Sequence, residues 1–538
     1  MEKKCNQFLR KSPFSCWRWR SSPLLAAKVI RLRRRRTNRE CRRRTPPGQT
    51  ASAEAEAPDI GEAVASLFGS IEDIEKYDGE NAVRITLSDS GTDCASDAVT
   101  TEEGKVRITQ AGTYIISGRL ADGVLTVNAG DSDRVVLVLD GAEISSAADS
   151  AVKLKNAGSV VIILPNGTTN AICSTAKAET DADTRAAMSV HTGLIIAGSG
   201  ALEISSASGN GIKADGAMLI TSGEYRLSAA KHGIKAAELY ILGGSFELES
   251  ELDGIHVDGK DTELSGSLGI AEGSYKISAN GDGISAAGDV RLLGGSYAVT
   301  TGEGSASVTL KSDGGMGGMP WGQFDGSSDD GDTSSQKGIK AGGSITIMGG
   351  SYDIDTVDDC LHAGGNISIA DGEFNELRTG DDAVSAVGSL VIESGSFVIP
   401  YCYEGLEATS VTIRSGSIDI ISSDDGINAA DDDDDSRDPF KASTDNFVII
   451  DSGSLTIVSE GDCIDSNGDI IVNGGTLRLT CGGNGNTAID ASGSFTNNGG
   501  DVTTNDGSES GNMGGPGGMG GGKPGGPGGG KPGGPGRP

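Results

Sequence analysis

The chain has 538 residues, of which 84 are glycine and only 4% aromatic, so a single large conventional globular core is excluded. The formal net charge is −32, but residues 1–50 hold 16 of the 44 Lys and Arg against only Glu2 and Glu40. The rest of the chain carries 28 basic and 74 acidic side chains, a body that repels nucleic acid and anionic membrane and attracts metal cations.

The first segment is Arg-rich, with CWRWR and RLRRRR, and its best apolar run, PLLAAKVI, is broken by Lys28. It reads as neither a secretory h-region nor a membrane span. The expectation is an upstream or out-of-frame extension in place of an export signal. A nucleic-acid-binding arm built on Trp17 and Trp19 is the alternative. Residues 1–79 are therefore assigned to leader and linker, with one short helix in IGEAVASLFGSIEDIEKY. No membrane insertion and no nucleic-acid partner are expected for the body, and a monomer is expected. The nine cysteines lack CxxC or zinc-type spacing, so no disulfide framework can be read.

A repeat follows. A recurring position, mostly preceded by glycine, runs Ile212, Ile234, Ile255, Ile284, Ile339, Leu361, Val384, Leu406, Ile427, Ile464 and Ile489, mostly at intervals of 21–23. Weaker copies start near Val152 and Met188. Each copy contains two-residue alternation (Val290 and Leu292, then Tyr297 and Val299) closed by Gly-Gly or Ser-Gly, which predicts short strands. Two or three such strands per copy predict an all-β, right-handed parallel β-helix with coils of about 22 residues. One coil buries perhaps four apolar side chains at roughly 1.5–3 kcal/mol each. Ordering its backbone costs about 1–2 kcal/mol per residue, so a coil persists only between neighbours. Tyr225, Phe246, Tyr275, Tyr297, Tyr352, Phe374 and Phe397, followed by Ile418, Leu455, Leu477 and Phe495, share the parity of the buried aliphatics and predict an internal column of stacked rings.

Three insertions interrupt the period, at 259–271, 302–336 and 430–446, and such insertions map to loops on one face. From Asn512 the Gly- and Pro-rich tail has no core-forming residues and is expected to be disordered. The body is assigned to residues 80–500 and the tail to 501–538.

Two residues before the repeat position stand Asp253, Asp282, Lys337, Asp359, Asp382, Glu404, Asp425 and Asp462. Asp before Gly is ordinary turn chemistry, the carboxylate capping its own turn. That reading leaves the doubled acids Asp358-Asp359, Asp381-Asp382 and Asp424-Asp425 unexplained, as well as Glu407, Asp465 and Asp490 one place after the repeat position. Coils stack about 4.8 Å apart, where two carboxylates repel by roughly 3 kcal/mol at an effective dielectric of 20. A bound cation relieves this, and hard oxygen donors favour Ca²⁺. The expected ligands are Asp253, Asp282, Asp358, Asp359, Asp381, Asp382, Glu404, Asp424, Asp425, Asp462 and Asp465. Cys360 and Cys463 lie four coils apart, too far to bridge. His256 and His362, in the column of Lys213, Lys235 and Lys340, are expected to be solvated surface residues.

The stretch Gly112–Ile172, with VLDG at Val138–Gly141 and LPNGTTN, followed by the GI-x-A and GGSY coils, resembles a known family. It is similar to the carbohydrate-binding parallel β-helix proteins of clostridial and other Firmicutes cell surfaces, whose fold is like that of pectate lyases. The resemblance covers roughly residues 80–500 and extends to the GGMGGMPWG loop and the Gly-rich tail. It implies an extracellular or cell-surface protein that carries Ca²⁺ and binds plant polysaccharide, polygalacturonate or cellulose-like, without cleaving it. Trp321, Tyr401 and Tyr403, outside the ring column, are the candidates for sugar stacking. The alternative is a calcium-dependent lyase with Lys337 or Lys340 as base. A structural adhesin or spacer is a third reading.

Overall fold

The computed structural model describes residues 59–510 apart from 75, 103, 178–184, 261, 311–334, 431–441 and 484. Trp321, the acidic run that starts at Asp431, the Arg-rich segment and the tail lie outside the described residues. The fold is a parallel β-helix. Each coil contributes one strand to each of three parallel ladders. In one coil these are Ile339–Ala341, Ile345–Ile347 and Ser351–Thr356, and the next coil repeats them as Leu361–Ala363, Ile367–Ile369 and Glu373–Thr379. The register is residue on equivalent residue: Ile339 on Leu361, Ile345 on Ile367 and Tyr352 on Phe374.

The alternation read from the sequence is burial. Ile339, Ile345, Ile347 and Tyr352 are fully buried, and Tyr352 alternates with the exposed Asp353. The ring column is internal, as expected. From Tyr225 to Phe397 successive centroids lie 4.7, 5.0, 4.9, 4.9, 4.7 and 4.3 Å apart, and no pair tilts by more than 11°. Each tyrosine hydroxyl turns back on its own turn; Tyr297 donates to the Gly294 carbonyl at 2.8 Å and Tyr352 to that of Gly349 at 2.9 Å. The phrase Gly-Gly-Ser-Tyr now has a cause. At Gly295, φ is +105° and an added Cβ would lie 3.1 Å from the Gly273 carbonyl oxygen and 3.2 Å from the Tyr297 hydroxyl. Gly283, before the repeat position, is needed for space, since a Cβ there would stand 2.4 Å from Val299 Cγ1.

Phe495 does not belong to the ring column. It pairs with Ile470 in the second ladder, and Val502 takes the place above Leu477. The distance from the repeat position, six residues rather than thirteen, decides the ladder; aromatic character does not. The repeat also starts before Val152, since Lys105–Ile108 and Val124–Asn128 already lie in the first ladder. The antiparallel strand Val99–Glu102 covers the first edge of that ladder, where open backbone groups would invite another chain. At the other end Asp501–Thr504 still pairs with the coil below, past residue 500.

The segment assigned to linker holds a helix, Ile60–Phe68, with Asp59 at its N-cap. It belongs to the same compact unit as the solenoid. Its buried Ile60, Ala63 and Val64 lie on the outer side chains of the second ladder, Val136, Val138, Val161, Ile163, Ile195, Leu219 and Tyr240. Those outward positions are apolar because the helix removes them from water. Among the described residues no helix is long and apolar enough to cross a membrane.

Stacked rings set a stability test. Tyr297→Ala should cost about 3–5 kcal/mol of unfolding free energy, and Tyr297→Phe, which loses only the bond to Gly294, about 1 kcal/mol, both read from urea midpoints. An alanine variant within about 0.5 kcal/mol of the parent would show that the column carries no packing energy.

Candidate functional site

The turn from the third ladder into the first puts two columns side by side along one edge of the solenoid. One holds the residues two before the repeat position, from His232 and Asp253 to Asp462 and Thr487. The other holds the residues one after it, where Glu407 sits on Asn428, Asn428 on Asp465 and Asp465 on Asp490. The buried aliphatic between the columns fixes both, because its ladder partners allow one register only.

The acids do not cap their own turns. Asp253, Asp282, Asp359, Asp382, Asp425 and Asp462 each reach across to the next coil and accept the backbone N–H of the column neighbour, whereas Glu404 does not. Asp282 donates to Asp253 Oδ1 at 2.9 Å, Lys337 to Asp282 Oδ1 at 2.9 Å, and Asp382 to Asp359 Oδ1 at 3.2 Å. Glu404 donates to Asp382 Oδ1 at 3.1 Å, Asp462 to Asp425 Oδ1 at 2.7 Å, and Thr487 to Asp462 Oδ1. One oxygen of each of these six carboxylates is thus committed to holding adjacent coils together, which leaves the other for a cation.

In the N-terminal half the chain supplies that cation itself. Asp253 Oδ2 lies 2.6 Å from His256 Nδ1 and 3.4 Å from His232 Nδ1. Lys337 Nζ lies 2.8 Å from Asp358 Oδ1 and 2.7 Å from Asp359 Oδ2, and His362 Nδ1 is 2.9 Å from the same Oδ2. Lys340 Nζ stands 3.8 Å from Asp282 Oδ2. Burial alone would raise the carboxyls of Asp253 and Asp359, but the two imidazoles at Asp253, and Lys337 with His362 at Asp359, outweigh it and hold both well below the usual range.

Burial and Asp253 outweigh Lys340 at Asp282 and raise its carboxyl. In the C-terminal half Asp382, Glu404, Asp425, Asp462 and Asp465 are all shifted upward. Burial, and then the neighbouring charges of Asp359, Glu404, Glu407 and Asp381, push Asp382 well up. Burial with Glu407 and Asp425 does the same to Glu404. Burial first, then the surrounding acids, raises Asp425 to about 8, Asp465 to about 7 and Asp462 to about 6. Two triads of donor atoms lie within 4.8 Å of one another: Asp382, Glu404 and Glu407, and Asp462, Asp465 and Asp490. Beside each is a buried neutral oxygen with no hydrogen-bond partner, Asn428 Oδ1 and Thr487 Oγ1. Asn428 donates its amide to both oxygens of Glu404, at 3.2 and 3.1 Å. Carboxylates with an unpaired neutral oxygen are a donor set suited to a hard divalent cation.

Two clefts open on the outer face of the third ladder. One, of about 540 Å³, is lined by Val308, Leu310, Pro400, Tyr401, Ile421, Ser423 and Glu460. The other, about 590 Å³, has Glu247, Lys276, Asp353, Asp355 and Arg378 among its walls. The family model of carbohydrate-binding domain-containing proteins matches residues 102–383 and 378–523. The chain belongs to that family. A carbohydrate-binding domain-containing protein of Acetivibrio thermocellus is 30% identical over 137 residues, 25% of this chain and 48% of the relative. The chain thus spans about half the length of the curated relative it matches. A solved structure described as a polysaccharide lyase-like protein from C. thermocellum, gadolinium derivative, is 28% identical, with a TM-score of 0.39 over 41% of this chain and 92% of that one.

In this β-helix the expected ligands do not form one set. Asp253, Asp282, Asp358 and Asp359 face the chain's own imidazoles and ammonium groups, while Asp382, Glu404, Asp425, Asp462 and Asp465 do not. Asp381 lies with Asp358 and Asp359, and Asp424 adds to the field on Asp425. Glu407, Asp490, Asn428 and Thr487 complete the two clusters; the first two were visible as unexplained acids, the last two only once the columns were built. His256 and His362 are not simply solvated, since each meets a column carboxylate. Tyr401 lines the first cleft and donates to the Val308 carbonyl at 3.1 Å. Tyr403 lies in the turn, where its N–H meets the Asp381 carbonyl at 2.7 Å. Lys337 is unsuited to be a base. Burial would lower its pKa, but Asp359 and Asp358 reverse this and raise it above the ordinary lysine value.

Two outcomes follow. Lys337→Met leaves two carboxylates uncompensated and should cost about 3–5 kcal/mol in chelator, by urea unfolding. Burial and the acids around it raise the Asp425 carboxyl from an ordinary 3.8 to about 8, so its ionisation opposes folding increasingly as pH rises from about 4 to about 8. Asp425→Asn keeps the acceptor for Asp462 and should gain about 1–3 kcal/mol over the parent at pH 8 in chelator. The two proteins should converge in this respect below pH 4; equal stability at both pH values would refute the assignment.

Proposed function

We propose that the protein is a non-catalytic cell-surface module that binds acidic plant cell-wall polysaccharide through Ca²⁺ held on the C-terminal half of the acidic edge. The observation that carries this reading is the change along that edge. Lysine or histidine stands beside Asp253, Asp282 and Asp359, whereas among the described residues Asp382, Glu404, Asp425, Asp462 and Asp465 form no ion pair, and two unpaired neutral oxygens lie beside them. Asp382, Glu404 and Glu407 with Asn428 would hold one ion, and Asp462, Asp465 and Asp490 with Thr487 another. Ca²⁺ takes six to eight oxygens, so each ion would keep positions open for a uronate carboxylate, and a body with this net charge admits a polyanion only through such a bridge.

The family membership supports a carbohydrate ligand. The cleft at Tyr401, of mixed polarity, supports a place for the sugar rings, since Tyr401 and Pro400 offer flat apolar area and Ser423 and Glu460 connect the cleft to the turns that carry Asp424 and Asp462. Absence of cleavage is supported by the state of Lys337, whose proton is held by two carboxylates.

Affinity electrophoresis through polygalacturonate gels tests the reading. Migration should be retarded with Ca²⁺, recover in chelator, and leave the polymer at full length. Glu404→Gln together with Asp465→Asn should abolish the calcium-dependent part, while Asp253→Asn should not. Shortened polymer with unsaturated ends would replace binding by lyase chemistry, and no retardation in either gel would leave a structural solenoid.

A further inference from the structure

The N-terminal half of the same edge holds a donor set of a different chemistry. We propose that His232, Asp253 and His256 form a second metal site, selective for a borderline divalent ion such as Zn²⁺ rather than for Ca²⁺. This goes beyond the calcium and polysaccharide reading and does not depend on it.

Three observations carry it. One donor atom from each of the three residues lies within 4.8 Å of the other two. The imidazoles come from adjacent coils and stack at 4.3 Å, and both turn Nδ1 toward one oxygen, Asp253 Oδ2, at 2.6 and 3.4 Å. A tetrahedral ion with ligands at about 2.0–2.1 Å sets its donors about 3.3 Å apart, and the two observed separations bracket that value. The carboxylate is also aimed: Asp253 Oδ1 is held by the N–H of Asp282 at 2.9 Å, so Oδ2 has one direction left. His232 Nδ1 accepts the N–H of Asp253 at 3.2 Å, which puts the lone pair on that nitrogen, as a metal requires.

The other histidine–carboxylate pairs of the described edge lack this arrangement. His191 meets Asp215 at 2.6 Å and His362 meets Asp359 at 2.9 Å, but Lys213 and Lys337 bind the same carboxylates at 2.8 and 2.7 Å. There an ammonium group already fills the cation's place. At Asp253 the second partner is another imidazole. Lys235, next to His256 in the first ladder, opposes a cation, and the charges of Asp253 and Asp282 favour one. Two nitrogens and one carboxylate suit Zn²⁺, Ni²⁺ or Cu²⁺ better than Ca²⁺. The three protein ligands leave a fourth position for water. Binding displaces the proton shared by His256 Nδ1 and Asp253 to solvent, and the metal takes the His232 Nδ1 lone pair in place of the Asp253 N–H, whose hydrogen bond to it breaks.

The test is zinc competition between the full chain, untagged and stripped with chelator, and a chromophoric chelator in excess calcium. The parent should take up one equivalent that His232→Ala, His256→Ala and Asp253→Asn each weaken by at least about tenfold, while Asp465→Asn binds it unchanged. Because removing an imidazole can loosen the turn, the parent supplies a second readout. Zinc should protect His232 and His256, but not His191 or His362, from acylation by diethyl pyrocarbonate, mapped by peptide mass. Zinc uptake that survives all three substitutions, no uptake in calcium, or no protection of these two rings would each overturn the site.

Discussion

Stacking of coils in strict register, with each residue lying on its own counterpart, is the constraint on which the rest of the molecule depends. The rings from Tyr225 to Phe397 report the spacing directly, at 4.3–5.0 Å. At that distance a column of like residues either reinforces or opposes itself. Aliphatic and aromatic columns reinforce, since each side chain is buried by its neighbours and offers area in return. Charged columns oppose, by roughly 3 kcal/mol per adjacent pair at an effective dielectric of 20.

The acidic edge shows how one chain handles the second case in two ways. One oxygen of most column carboxylates accepts an amide of the next coil, so the acids are part of what keeps the turns aligned. Their charge remains. Up to Asp359 it meets the chain's own side chains, His256 at Asp253, Lys340 at Asp282, and Lys337 with His362 at Asp359, although burial and Asp253 still raise the Asp282 carboxyl. Among the described residues Asp382, Glu404, Asp425, Asp462 and Asp465 form no ion pair, and in the proposed function calcium answers them. Structure and binding therefore draw on the same carboxylates.

The faces of the solenoid divide the remaining roles. The second ladder is closed to solvent at its N-terminal end by the helix Ile60–Phe68, and the third ladder presents the two clefts. The cleft at Tyr401 shares Ser423 and Glu460 with the turns of the acidic edge. A polymer lying along the third ladder at this point would have its rings on Tyr401 and Pro400 and its carboxylates toward Asp425 and Asp462.

The sequence by itself determined the fold and much of the edge. A period near 22 with alternating apolar residues admits one architecture, because a coil cannot bury its own area, and equal parity sent the ring column inside. The acidic column was legible because the same interval placed Asp after Asp. What the interval does not carry is contact between neighbouring columns. That the carboxylates cap the next coil rather than their own turn, that Lys337 reaches Asp358 and Asp359, that His232 stacks on His256, and that Asn428 and Thr487 leave an oxygen unpaired beside the acids were decided only by the tertiary structure. Phe495 failed for the same reason from the other side, its residue type suggesting one ladder and its position along the coil assigning another. Periodicity fixes which residues share a column, but side-chain length, rotamer and the packing of the turn decide which partner each one meets across columns.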